Sequence, residues 1–305
     1  MPRSIASVLA LALAAAPACV RRPAELPLCR VDLAAAPRGE PAALRPDDWA
    51  TLLMHRGSHS LNECTRHPLV DVSPACDAPP SINKPPELLP LGEAQVILGD
   101  APPGHTLVWL ALARFGDGDA FGPVALVQWH ERGAAIRGLG ALRAPGDGTR
   151  IALHTLGDKR PARLLVVESL RCELDGPRRC TPHLDLLPLQ EGRFIRTPIF
   201  AGDQCSEPSR IALERHHIVE LQPGIHRRFR AAIGVDITAG GIVLEESVSV
   251  EDIDPEHPDA VPRPYRQATE ARVISLAQGR LHASAPPLWP RMLAHHASIV
   301  ASEEP

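Results

Sequence analysis

Four residues of the N-terminal third recur at a helical interval: His55, His59, Glu63 and His67, with Cys64 among them. On one continuous helix they would share a face and could hold zinc. Gly57, Ser58 and Ser60 oppose such a helix, and a full HExxH pattern is missing. A second group is acidic: Glu251, Asp252, Asp254, Glu256 and Asp259. Oxygen donors this dense suit calcium, although Pro255 and Pro258 break the spacing of an EF-hand loop. Asp117 and Asp119, in the turn over 116–122, are a smaller set of the same kind. His55, His59, Asp252 and Asp254 are therefore the metal-ligand candidates, each set against the simpler reading of a solvated turn. The pairs His216-His217 and His295-His296 are poor chelators, because neighbours on a strand point to opposite faces. No Gly-x-Ser-x-Gly elbow, phosphate-binding glycine loop or Cys-x-x-Cys pair occurs. No catalytic residue and no cofactor is assigned.

The elements that would position such groups are strands. From residue 106 onward, short apolar runs alternate with turn signals. Residues 107–115 run into Gly116-Asp117-Gly118-Asp119. Runs at 124–129, 134–142, 150–156 and 163–170 follow, each closed by Gly, Asp or Pro. Such spacing predicts antiparallel strands joined by hairpins. Residues 209–221 are compatible with a helix, but Ile211, Leu213, Val219 and Leu221 at period two favour a strand. With 229–237 and 242–250 it forms a meander. Residues 271–276 and 280–285 make a last hairpin.

The expected fold class is all-β, of antiparallel hairpins and meanders in a sandwich- or partial-propeller-like arrangement. The β domain spans 93–290 and divides into halves 93–200 and 205–290, with a tail at 291–305. Residues 19–92 form an irregular Pro- and Cys-rich region, apart from one short helix at 46–55. The segment 187–194 is echoed at 274–281 and more weakly at 127–133. Its strand–loop–strand–Gly texture is similar to FG-GAP propeller repeats. Three unequally spaced copies cannot close a propeller, so the echo reads as recurring hairpin chemistry.

Residues 1–18 read as an export signal: a basic start at Arg3, an apolar run over 5–16, and the small-residue sequence Ala16-Pro17-Ala18. The run is shorter than a membrane span. Cys19 follows directly, and this arrangement resembles the lipobox of bacterial lipoproteins. Ala18 fits that pattern; Ala16, where Leu is preferred, and Pro17 depart from it. The resemblance implies acylation of Cys19, and Val20 after it implies the outer membrane. Otherwise the protein is periplasmic or extracellular. The chain has seven cysteines, and without Cys19 six remain to pair in an oxidising compartment. The turn Asp175-Gly176-Pro177 predicts Cys172–Cys180. Proximity predicts Cys64–Cys76, and elimination leaves Cys29–Cys205.

Composition narrows the partners. The net charge is −4, which argues against nucleic acid. Aromatic residues are only 3 %, which removes the stacking platforms of many carbohydrate and single-strand binders. Lys84 and Lys159 are the only lysines among many arginines, a coding bias rather than a functional sign. The expected partners are a membrane, through the N-terminal lipid, and another envelope protein. The leading functional reading is an exported, lipid-anchored, non-enzymatic binding or structural module. The alternative is a metal-dependent hydrolase of the periplasm or cell surface, with His130, His154 and His183 converging as ligands.

Overall fold

The computed structural model describes residues 29–32, 41–53, 76, 87–131, 133–157, 161–172, 180–222, 225–257 and 261–302. Cys19, His55, His59 and Cys64 lie outside them. The fold is all-β. The strands in chain order are β1 (Cys29–Asp32), β2 (Glu87–Leu88), β3 (Gln95–Gly99), β4 (His105–Ala111), β5 (Ala113–Arg114), β6 (Asp119–His130) and β7 (Gly133–Pro145). Then come β8 (Arg150–Leu156), β9 (Ala162–Cys172), β10 (Cys180–Gln190), β11 (Arg193–Phe194), β12 (Ile199–Ala201), β13 (Gln204–Glu207) and β14 (Arg210–Ala212). The last are β15 (Glu214–Gln222), β16 (Ile225–Thr238), β17 (Gly241–Ile253), β18 (Arg263–Ala277) and β19 (Arg280–Ala283). Two α-helices accompany them, α1 (Pro46–Leu53) and α2 (Leu288–Ser302).

Among the described residues the strands form two sheets. The first has twelve strands and runs mainly as an antiparallel meander from β3 to β10. It curls until β3 lies beside β8, where Asp100 and Ala152 form a parallel bridge. Leu107, Trp109, Leu126, Leu142, Leu165, Val167 and Phe194 fill the space inside the curl. Phe194 fits there because Gly140 faces it; a Cβ on that glycine would stand 2.7 Å from the phenylalanine. On the outside, α1 lays Trp49, Leu52 and Leu53 over Val108, Leu110, Val127 and Ile136. β4 and β6 are thus buried on both faces, which accounts for their almost unbroken apolar runs. Pro46 suits a first helical turn, and Asp47 and Asp48 suit its positive end.

The second sheet has seven strands in the order β13-β12-β19-β18-β17-β16-β15. One face of it, through Ile242, Leu244, Ile274 and Leu281, packs on Leu164, Val166, Leu184 and Leu186 of the first sheet. Farther along the same face α2 takes over, with Leu288 and Met292 against Phe229, Val248 and Val250. This helix occupies what the sequence suggested was a tail. The signal for it was the apolar set Leu288, Trp289, Met292 and Leu293. Pro290 reads as a helix breaker, but here it falls in the first turn, where no backbone donor is lost.

The sequence echo has a structural basis. Glu191-Gly192 and Gln278-Gly279 both adopt left-handed backbone conformations, at φ 47° and 75° and at φ 51° and 78°. That pair of values makes the tight hairpin turn that matches strand twist. The two turns also meet, since the Gln190 amide donates to the Gly279 carbonyl.

Cys172 and Cys180 sit opposite each other on β9 and β10 and are bonded. Cys76 is bonded to Cys205 on β13, across a separation of 129 residues. That bond replaces the expected Cys64–Cys76 and Cys29–Cys205 pairs. Sequence proximity misleads here, because pairing follows which edge strand the N-terminal chain reaches. Of the six cysteines, Cys29 and Cys64 then remain for each other. Peptide mapping without reduction is expected to return Cys29–Cys64 as the third link; two free thiols would contradict it. The two bonds fit an oxidising compartment. Among the described residues no helix is long and apolar enough to cross a membrane.

Candidate functional site

Among the described residues one face of the second sheet is left open, and there the alternation of residues builds a trough. β16 sends Phe229 and Ala231 toward α2 and so turns Arg228, Arg230 and Ala232 outward. β17 alternates likewise, with Val248 and Val250 inward and Ser247 and Ser249 outward. Strand register lines these groups up across the sheet. His216, Arg230, Ser249 and Gln267 form one row over four strands, and Glu214, Ala232, Ser247 and Thr269 the next. A third row joins Ile218, Arg228 and Glu251. Cys180 and Thr181 of β10 close one side, and the trough encloses about 850 Å³. Within it, Glu251 accepts from Arg228 Nε at 3.2 Å and Nη2 at 2.6 Å. His217 points the other way, toward Phe229, so the adjacent histidines divide between the two faces.

The metal candidates are not assembled into such a site. Asp252 receives Arg227 on both oxygens, Nε at 2.6 Å and Nη2 at 3.0 Å. Burial opposes the Arg227 charge, but Asp252 outweighs it and holds the guanidinium above its ordinary value. Tyr265 stacks on the same guanidinium. Asp254 accepts from the Glu256 amide and pairs with His257, chiefly through the latter lying below the usual carboxylate range. His55 and His59 lie outside the described residues. Among the described residues no three His, Cys, Asp or Glu side chains gather as a metal site, and His130, His154 and His183 do not converge. Asp117 and Asp119 both bind Arg143 instead of forming an open calcium loop.

Sequence reading missed the ionic plug at one end of the curled sheet, where four arginines meet three aspartates. Asp119 Oδ2 accepts from Arg143 Nε at 3.0 Å and from Arg171 Nη1 at 2.7 Å. Asp185, fully buried, accepts from Arg196 and from Arg210 Nε, the latter at 2.8 Å. Arg171, Arg196 and Arg210 all donate to the carbonyl of Arg143. Burial pushes the His183 imidazole beside them below its ordinary value. Arg171 and Arg210 add to this, against the Thr181 carbonyl and Asp185. The folded protein thus resists protonation at His183, whereas the unfolded chain accepts a proton near pH 6.5. His183 therefore adds stability that is present above about pH 6.5 and is lost as pH falls through its lowered folded value. Unfolding midpoints taken between pH 7 and pH 5 are expected to fall less steeply in His183→Gln than in the native protein. Equal slopes would remove His183 from the plug's titration.

Comparison with known protein families, curated proteins and solved structures returns no match for this chain.

Proposed function

We propose that this is an exported, lipid-anchored envelope protein that acts as a non-enzymatic binding module, with the trough on the second sheet as its ligand-facing surface. The observation that carries this is the trough itself: small and hydrogen-bonding side chains set in register across four strands, on a face that among the described residues only the end of β10 borders. The curled sheet behind it, with its Cys172–Cys180 bond and ionic plug, is a support of the kind that keeps a binding surface pre-organised. The export signal, the small-residue site before Cys19 and the pairing of the remaining cysteines support placement at the envelope. Val20 favours the outer membrane.

A ligand array of envelope glycans and proteins, probed with the native protein and with Ala232→Trp, tests the module. Ala232 is exposed, so the indole fills the trough without entering the core. The expected result is a ligand retained by the native protein and lost by the variant. Equal capture by both, or no capture at all, overturns the reading. Intact mass of detergent-purified protein tests the anchor. Acylated Cys19 is expected, and an unmodified Cys19 in the soluble fraction contradicts it.

A further inference from the structure

The charges in the trough are unequally matched, and that imbalance names a ligand chemistry. Arg228 is neutralised by Glu251, which takes both its Nε and Nη2 hydrogen bonds. Arg230 stands one row away. Its cross-strand neighbours are His216 and Ser249, and among the described residues no carboxylate pairs with it. It is exposed, so its guanidinium is presented to solvent as a cation, and among the described residues its donor fork meets no acceptor. Such a fork fits a carboxylate or a phosphate with two parallel hydrogen bonds.

Along its row toward β18 the groups beside Arg230 are neutral and both donate and accept. Ser249 and Gln267 continue its row, and Ser247 lies beside it in the next. Hydroxyl and amide groups of this kind match the hydroxyls of a polyol. The row spans about 14 Å, three strand spacings of roughly 4.8 Å each. Its volume of about 850 Å³ falls in the small-molecule range of roughly 300–1,000 Å³. Among the described residues no Phe, Tyr or Trp lines it, so a ligand held by stacking on a large ring is disfavoured. Glu214 and Glu251 also face it, so a long polyanion would meet repulsion where a single negative group meets Arg230 alone.

We infer that the trough binds a hydroxylated unit with a single anionic group, a sugar acid or sugar phosphate, with Arg230 as its anchor and Ser247, Ser249 and Gln267 on its hydroxyls. This rests on the trough being the binding surface. The unit has two sources, a free sugar or the end residue of a longer glycan.

Calorimetric titration of the mature full-length protein with glucuronate, glucose 6-phosphate, glucose and a neutral oligosaccharide ending in one glucuronate tests it. The charged sugars are expected to bind at least about tenfold more tightly than glucose. Arg230→Gln should remove that advantage, Arg230→Lys should restore part of it, and Ser249→Ala should weaken glucuronate while leaving the preference for charge. A free-sugar source gives binding of the monomers, and a glycan-end source gives tighter binding of the uronate-capped oligosaccharide than of the monomer. Arg230 is exposed, so an unchanged melting temperature is expected in its variants. If no charged sugar binds, or Arg230→Gln binds glucuronate like the native protein, the inference is overturned. If glucose then binds and Ala232→Trp blocks it, the binding-module reading stands while the anionic ligand falls.

Discussion

Asp185→Asn is expected to lower the unfolding free energy by about 3–5 kcal/mol, the cost of leaving a buried charge without its counter-ion. Asp185 is fully buried and the Arg196 side chain is only 3 % exposed. The amide keeps an acceptor but loses the charge that offsets the desolvation of Arg196. Arg210, at 21 % exposure, can turn toward water and contributes less to the loss. For a chain of this size the shift amounts to roughly 10 °C in melting temperature. The double variant Asp185→Leu/Arg196→Met should recover much of it, because a matched apolar pair replaces a buried ion pair at little or no cost. Asp254→Ala is the control: that carboxylate is solvent-exposed, and its pairing with His257 should leave the melting temperature unchanged. Urea unfolding of the three proteins measures this. A loss in Asp185→Asn no larger than in Asp254→Ala would mean that water reaches the plug.

What the sequence makes legible here is local. Period-two alternation and Gly/Asp turns locate β8 and β9 within a residue or two, and they locate β16 and β17 by their cores. Gly and Asp-rich turns also mark the ends of β6 and β7. Those strands extend past their apolar runs because backbone pairing continues through polar positions such as Asp119 and Arg143. What is not legible is long-range. Nothing in 95–99 or 150–156 announces that Asp100 will meet Ala152, since the closing of the curl depends on twist summed over the intervening strands. The Cys76–Cys205 pairing depends on the same global geometry.

The functional surface shows the same division. Arg228-Phe229-Arg230 and Ser247-Val248-Ser249 reveal in sequence that one face is polar. The chemistry appears only when register sets Arg230 beside His216 and Ser249, because a slip of one residue would send every one of them to the buried face. The plug was invisible for a related reason. Asp119, Asp185, Arg196 and Arg210 are scattered over 92 positions and look like ordinary surface charges until the sheet curls. Of the acidic stretch conspicuous in sequence, Glu251, Asp252 and Asp254 are taken by Arg228, Arg227 and His257.

Removing the Cys76–Cys205 bond is expected to cost more than removing Cys172–Cys180. A cross-link stabilises mainly by limiting the unfolded chain, and the effect grows with the loop it closes. At a separation of 129 residues the loop-entropy relation gives about 5 kcal/mol; at 8 residues it gives about 2.5 kcal/mol. The local structure acts in the same direction. β9 and β10 are held together by eleven-residue strands whether or not the sulfurs are joined. β13 is an edge strand of four residues, paired only to the three-residue β12 among the described residues. Two positions beyond Cys205, Glu207 is ion-paired with the buried Arg272, which also holds Glu246. Glu246 in turn accepts the Leu288 amide at 2.6 Å, at the start of α2. Loosening β13 therefore weakens a charge network that reaches the helix. Cys76→Ser/Cys205→Ser should show a drop in denaturation midpoint about twice that of Cys172→Ser/Cys180→Ser. It should also show earlier loss of Trp289 fluorescence, as α2 leaves the sheet. Equal midpoints for the two double variants would mean that the long-range bond is a surface clasp and that β13 holds its place without it.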